Sequence, residues 1–194
     1  MASGDVKTVE DNLTATTRSS ASEWPGLPFS YYEKRWYAVY TAANHERRVA
    51  EQLEVRAVEY FLPLYSSLRR WKDRRVKLSL PLFPGYVFVH MALRDRLRVL
   101  QVPGVARLVS FNGTPSALPD EAIQALMRSL ERGLHAEPHP YLTAGRRVRL
   151  KCGPLEGCQG ILVRRKGVCR VVLSIEMIQR SVVVDVDLAD IEPL

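Results

Sequence analysis

Residues 81–91, PLFPGYVFVHM, are a short apolar and aromatic stretch. Pro84 and Gly85 predict a turn near its start, because proline fixes φ and glycine tolerates positive φ. The β-branched and aromatic residues that follow predict a central strand. The rest of the predicted fold is organised around this strand.

The two faces of the strand carry different side chains. Tyr86 and Phe88 point to one face, whereas Val87 and Val89 point to the other. The stretch by itself leaves two arrangements open: both faces are buried, or the aromatic face is offered to a partner. The neighbouring segments favour the second arrangement, in which the valines face helices and the aromatic residues line a partly exposed apolar depression.

Periodicity in the flanking segments predicts a β-α-β-β-α-β-α order. Apolar residues recur at helical spacing in two longer segments and one short segment, and β-branched or aromatic runs separate them. An antiparallel sheet with helices packed against it, an α+β fold, accounts for this order. The predicted strands are 35–40, 58–62, 81–91 and 105–111, the predicted helices are 44–57, 93–100 and 119–133, and a hairpin tip spans 66–77.

Four regions follow from the changes in pattern along the chain. Residues 1–33 lack periodicity and predict a disordered tail, and residues 34–133 form the α+β domain. The Pro-rich residues 134–142 predict a linker. In residues 143–194, short β-branched runs alternate with glycine turns, which predicts a small all-β barrel. We expect this barrel to be flexibly tethered and not to cover the first domain.

Composition favours a cytoplasmic protein. The chain of 194 residues has no apolar run near the roughly 20 residues that span a bilayer, and its first residues lack a secretory signal pattern. Its three cysteines are too few and odd in number for a disulfide framework, which fits a reducing compartment.

The net charge of +7 is concentrated in one region. Residues 34–100 carry 14 basic and 6 acidic side chains, which suggests a polyanionic partner such as nucleic acid. Within that region, residues 66–77 hold six basic residues, one acidic residue and a tryptophan. This composition suits phosphate contact with base stacking. A solvated hairpin whose charges prevent aggregation accounts for it equally well.

No motif for catalysis, a metal or a cofactor is evident. His135 and His139 lie four residues apart, but they sit in the Pro-rich segment and the chain has no CxxC pair. No phosphate-binding glycine loop and no nucleophile elbow occur. We therefore expect a binding protein that is not an enzyme and uses neither a metal nor another cofactor.

Several motifs together resemble the NusG family of transcription elongation factors. They are RWY at 35–37, FPGYVFV at 83–89, VPGV at 102–105, and a C-terminal glycine pattern from Gly145 to Gly160 that is similar to a KOW motif. The resemblance covers residues 34–194 in the family's order. It implies an NGN domain followed by a KOW barrel. PLFPGYVFV and the compact basic loop at 69–77 look more like the specialised RfaH and UpxY-type antiterminators than like housekeeping NusG.

The resemblance implies a cytoplasmic monomer that binds the clamp helices of RNA polymerase and suppresses pausing. Its N-terminal domain would do so through an apolar depression, since a few buried aromatic residues supply most of the energy of an interface. The implied lining is Trp36, Tyr37, Tyr40, Phe83, Pro84, Tyr86 and Phe88.

The resemblance also implies contact with the exposed non-template DNA strand. One polar face of the first helix and the basic hairpin would supply the side chains. The implied nucleic-acid-binding residues are His45, Arg47, Arg48, Gln52, Arg56, Arg69, Arg70, Lys72, Arg74 and Arg75.

The KOW domain is expected to recruit either Rho or a small-subunit ribosomal protein. Residues 174–179 lack the phenylalanine that housekeeping NusG has there, and Ile175, Met177 and Ile178 are the candidate apolar contact instead. A second hypothesis is a stand-alone RNA-binding protein, because the element order and GYVFV resemble an RRM sheet whose aromatic residues stack bases.

Overall fold

The structure is a computed structural model that describes residues 31–71, 74–142, 145–165 and 168–194. The tail predicted for residues 1–33 therefore lies almost entirely outside the described residues. None of the described helices is long and apolar enough to cross a membrane.

The N-terminal domain contains β1 Lys34–Thr41, α1 Glu46–Val55, β2 Glu59–Phe61, β3 Leu64–Trp71, β4 Arg74–Pro81, β5 Tyr86–Ala92, α2 Arg96–Leu100, β6 Val105–Leu108, β7 Ser110–Phe111, β8 Thr114–Pro115, β9 Ala117–Leu118 and α3 Asp120–Glu131.

The main sheet of this domain has the order β2-β5-β1-β6, and β9 also pairs with β1. All these pairs are antiparallel, and β5 lies at the centre beside β1, as the sequence predicts. The strands β3 and β4 form a separate long hairpin, and β7 and β8 form a short one. The predicted α+β architecture is therefore confirmed.

One face of the main sheet is closed by α1 and α2. Val87 and Val89 of β5 are fully buried there against Val49 and Leu53 of α1 and Val99 of α2. This confirms that the valine face of β5 packs on helices. Burying each of these side chains contributes about 1.5–3 kcal/mol.

The C-terminal β-domain, residues 136–194, is a six-stranded antiparallel sheet with the order β10-β14-β13-β12-β11-β15. Its all-β character is as predicted. The strands are β10 Ala136–His139, β11 Arg146–Leu150, β12 Gln159–Arg165, β13 Val168–Ile175, β14 Arg180–Asp185 and β15 Ile191–Pro193.

The prediction of a linker at 134–142 is wrong in part, because Ala136–His139 form β10. This strand pairs with β14 along its whole length, and Pro138 is opposite Val182. Proline lacks a backbone N–H, so a strand that contains it is tolerated at the edge of a sheet, which is where β10 lies. The proline-rich composition therefore marked an edge strand.

The prediction that the β-domain leaves the first domain uncovered is also wrong. One cluster of buried side chains contains Phe83 and Phe88, Ile123 of α3, and Leu155 and Val182 of the β-domain. Apolar residues on both domains are removed from water by this packing, which provides its driving force. The sequence-based expectation rests on strand propensity. Strand propensity does not indicate whether the β-domain docks on the N-terminal domain.

Candidate interaction surfaces

The turn before β5 is fixed by contacts to α1 and β1. Gly85 has φ of +84°, and a Cβ at this position would lie 3.3 Å from Cε2 of Tyr40. The Gly85 N–H donates a hydrogen bond of 2.6 Å to Oε1 of Glu46, and the Gly85 carbonyl accepts one of 2.9 Å from the Thr41 N–H. Glu46 is only 6% exposed. The turn is thus held by a buried carboxylate in the first turn of α1.

Sequence reasoning did not identify Glu46. An acidic residue in the first helical turn is common because it complements the helix dipole, so its presence carries no specific signal. Only the fold brings its carboxylate to a turn that is 39 residues away in the chain.

The aromatic face, which we define as Trp36, Tyr40, Phe83, Tyr86 and Phe88, lies on the side of the sheet opposite α1. The register of β1 and β5 places Trp36 opposite His90 and Tyr40 opposite Tyr86. Tyr40 and Tyr86 have ring centroids 5.4 Å apart, and Phe83 meets Phe88 edge-on at 5.5 Å. Such aromatic pairs add about 0.5–1.5 kcal/mol beyond the area they bury.

Most of the aromatic face is closed in this structure. Trp36, Phe83 and Phe88 are 3%, 1% and 0% exposed, whereas Tyr40 is 38% exposed and Tyr86 is half-buried. The predicted partly exposed depression is therefore reduced to its tyrosine rim and the exposed Pro84. The reason is the packing of α3 and the β-domain over the three buried rings.

Tyr37 does not belong to the aromatic face, so its predicted place in the same depression is wrong. It is adjacent to Trp36 in a strand and therefore points to the opposite side of the sheet. There it is 1% exposed and packs with Val49 and Leu53. Burial raises the pKa of its phenol.

The first turns of α1 are tied to the surrounding loops. His45 is the N-cap residue of α1, and its Nδ1 lies 2.9 Å from the carbonyl of Ala43. Arg47 donates a hydrogen bond of 2.7 Å to the carbonyl of Ser79 in β4. Arg47 therefore connects α1 to the basic hairpin, and Arg48 beside it is exposed.

The other two residues predicted on this helix are Gln52 and Arg56, the C-cap residue of α1, and they contact each other. Nη1 of Arg56 donates to Oε1 of Gln52 at 2.9 Å, and both residues are half-buried. Arg98 of the following helix donates to the Arg56 carbonyl. Arg48, Gln52 and Arg56 thus form one polar strip along α1, with Arg48 its most accessible cation.

The basic hairpin is confirmed as an extended two-stranded element. Its register pairs Arg69 with Val76, Arg70 with Arg75 and Trp71 with Arg74. Arg75 is exposed. Lys72, which the sequence also assigns to nucleic-acid binding, lies outside the described residues.

The predicted partner residues of the β-domain do not form an exposed loop. Ile175 ends β13, and Met177 and Ile178 lie in a short 3-10 helix, Glu176–Ile178. All three pack against the cluster that contains Phe83 and Phe88, and Ile178 is only 5% exposed. In this arrangement the candidate contact of the β-domain faces the N-terminal domain.

The described side chains show no activated nucleophile and no metal cluster. Among the described residues, no group of three or more His, Cys, Asp or Glu side chains is placed to hold a metal ion. The Cys152 thiol donates a hydrogen bond of 2.9 Å to Oδ1 of Asp190, which raises the pKa of this thiol. A raised pKa disfavours the reactive thiolate.

Comparison with known proteins finds similarity to NusG proteins. Residues 34–127 match the family model for NusG, a transcription termination factor. Transcription termination/antitermination protein NusG of Vibrio cholerae is 28% identical over 179 residues, which cover 84% of this chain and 97% of that protein. The Yersinia pestis NusG protein is 28% identical over 177 residues, covering 82% and 96%.

A solved structure of Thermotoga maritima NusG shares the fold. It is 23% identical in sequence, covers 84% of this chain and 99% of its own, and superposes with a TM-score of 0.52. The match of the family model, the near full-length alignments with the curated proteins and the shared fold agree, and residues 34–127 are similar to the NusG family.

Proposed function

We propose that the chain is a transcription termination/antitermination factor that binds the clamp helices of RNA polymerase through its aromatic face. The observation that carries the proposal is the match of residues 34–127 to the NusG family model, because the whole aromatic face lies within that segment. Five aromatic residues on one side of a sheet, backed by packed helices on the other, form a rigid apolar anchor of the kind that dominates interface energies.

Binding through this face requires the β-domain to move away from it. Phe83 and Phe88 are almost fully buried when the two domains are docked, and only the tyrosine rim and Pro84 are accessible. The rim would make the first contact with the polymerase, and the phenylalanines would join it after undocking. The polymerase then replaces the β-domain as the cover of the same rings.

Nucleic acid would contact the side of the N-terminal domain that carries α1 and the basic hairpin. The hydrogen bond from Arg47 to Ser79 fixes these two basic elements relative to each other. Arg48 and Arg75 are exposed and can reach phosphates of the non-template DNA strand. The contribution of such cations is electrostatic and independent of base sequence.

The β-domain would recruit a second partner once it is released. Undocking exposes Ile175, Met177 and Ile178 together with the apolar side chains beside them. Rho and a small-subunit ribosomal protein are the two candidates for this contact. The PLFPGYVFV motif and the basic residues at 69–77 support a role as a specialised antiterminator of the RfaH or UpxY type.

The experiment is a binding measurement with core RNA polymerase that compares two aromatic variants. Tyr86→Ala removes a half-buried ring of the aromatic face, whereas Phe111→Ala removes a ring that is 72% exposed in the short β7–β8 hairpin. We expect Tyr86→Ala to weaken binding about 30-fold, a loss of about 2 kcal/mol, which is typical of a hot-spot residue.

Phe111→Ala serves as the matched control and should bind as tightly as the wild-type chain. Circular dichroism and the unfolding midpoint of both variants show whether the fold is kept. Wild-type affinity of a folded Tyr86→Ala chain would refute contact through the aromatic face. A pull-down of the full chain from lysate, probed for Rho and ribosomal proteins, tests the role of the β-domain.

A further inference from the structure

A cavity of about 180 Å³ lies between the two domains. One wall comes from the N-terminal domain and the other from the β-domain, so the cavity exists only when the domains are docked. The N-terminal wall is formed by Phe83, Ala122, Ile123 and Leu126, and the β-domain wall by Leu155, Cys158, Gln159, Leu173, Ser174, Ile175 and Val182.

The lining is almost entirely apolar and uncharged. The Ser174 hydroxyl is already engaged, because it donates to the Leu142 carbonyl at 3.1 Å and lies 2.7 Å from the Ser181 hydroxyl. Burial raises the pKa of the Cys158 thiol, so this side chain is neutral at physiological pH. The exposed Gln159 is then the polar group at the mouth of the cavity.

The size and chemistry of the cavity define the class of ligand. An apolar cavity of about 150 Å³ excludes water and holds one benzene molecule, so this cavity has room for one or two fused rings. The apolar lining with a few polar groups and the position between two domains are features of small-molecule sites, and the volume of about 180 Å³ limits this one to ligands smaller than drug-sized molecules. Exposed Ala122 and Gln159 line its opening and leave a path for entry.

We propose that this interdomain cavity binds a small, uncharged, apolar compound with the size of one or two fused rings and thereby holds the β-domain docked on the N-terminal domain. A ligand that contacts both walls binds the docked arrangement in preference to the undocked one, and it shifts the population accordingly. The proposal concerns the isolated chain and does not depend on the proposed polymerase contact.

Binding is tested by titrating the full chain with indole while recording the isoleucine methyl signals by NMR. Ile123 and Ile175 lie on opposite walls, whereas Ile161 lies in a separate cluster on the other face of the β-domain sheet. We expect the first two signals to shift with one common Kd and the third to stay unchanged. A response from one wall only, or no saturable response, would overturn the proposal.

Alkylation of the cysteines, read by mass spectrometry, gives an independent measure of occupancy. Cys158 lines the cavity, whereas Cys152 is exposed outside it. At ten times its Kd, indole leaves about one chain in eleven unliganded. The modification rate of Cys158 should then fall about tenfold while that of Cys152 stays the same, and equal rates with and without indole contradict the proposal.

A matched pair of variants on α3 localises the site. Ala122→Phe places a ring into the mouth of the cavity, and Gln124→Phe places the same ring on an exposed position of α3 that does not line it. We expect Ala122→Phe to weaken indole binding more than tenfold and Gln124→Phe to change it less than twofold. Unchanged binding by a folded Ala122→Phe chain would also overturn the proposal.

Discussion

Glu46→Ala should lower stability more than any other removal of an acidic side chain on α1. The substitution deletes the buried carboxylate that accepts the 2.6 Å hydrogen bond from Gly85, and it leaves that N–H without its partner. A hydrogen bond to a charged group contributes about 1.5–3 kcal/mol, and an unsatisfied buried donor costs a similar amount. We therefore expect the free energy of unfolding to fall by about 2–3 kcal/mol.

The measurement is equilibrium unfolding of the full chain in urea, followed by circular dichroism. Glu51→Ala is the control, because Glu51 is an exposed acidic residue of the same helix, and its removal should change stability by less than about 0.5 kcal/mol. Glu46→Gln keeps a carbonyl acceptor and should lose only about 1 kcal/mol. A Glu46→Ala chain as stable as Glu51→Ala would refute the role of this carboxylate in holding the turn.

Three further outcomes follow from the described contacts. Gly160→Ala should prevent folding of the β-domain, because a Cβ at this position would lie 2.6 Å from the Val172 carbonyl oxygen. The measurement is the loss of the dispersed amide NMR signals of this domain. Native signals in the variant would contradict the prediction. Arg48→Glu should weaken binding to single-stranded DNA at low salt and reduce the slope of log K against log salt by about 0.7. An unchanged slope in a salt titration would exclude a phosphate contact. Asp190→Asn should lower the pKa of the Cys152 thiol toward its ordinary value, since the carboxylate that raises this pKa is gone. Alkylation of Cys152 should then begin at lower pH than in the wild-type chain. An unchanged pH profile of alkylation would contradict the role of Asp190 in raising this pKa.

The main sheet was predictable because its signals are local. The run from Tyr86 to Val89 specifies a strand, and its period of two correctly assigns the valines to the helix side. The same rule applied to β1 separates Trp36 from Tyr37, but both were assigned to one depression because they match one motif. A motif match marks both residues without saying which face of the sheet each occupies.

The contacts that fix the proposed surfaces depend on long-range packing. The hydrogen bond from Gly85 to Glu46 joins residues 39 apart, and that from Arg47 to Ser79 joins residues 32 apart. Neither pair has a spacing that a helix or strand period could reveal. The resemblance implies Arg47 as a phosphate contact, whereas in the structure its guanidinium is partly used in holding the hairpin.

Phe83 contributes to both the docked interface and the proposed polymerase contact, so the two states compete for one side chain. It lines the interdomain cavity and packs in the cluster that joins the two domains. A binding site that is open in only a fraction of molecules has an apparent affinity reduced by that fraction. If docking were favoured by about 2.7 kcal/mol, one molecule in about a hundred would be open and polymerase binding would weaken about 100-fold. A compound that occupies the cavity would lower the fraction of open molecules and weaken polymerase binding further. A partner that binds Ile175 and Met177 of the released β-domain would raise the open fraction and strengthen polymerase binding.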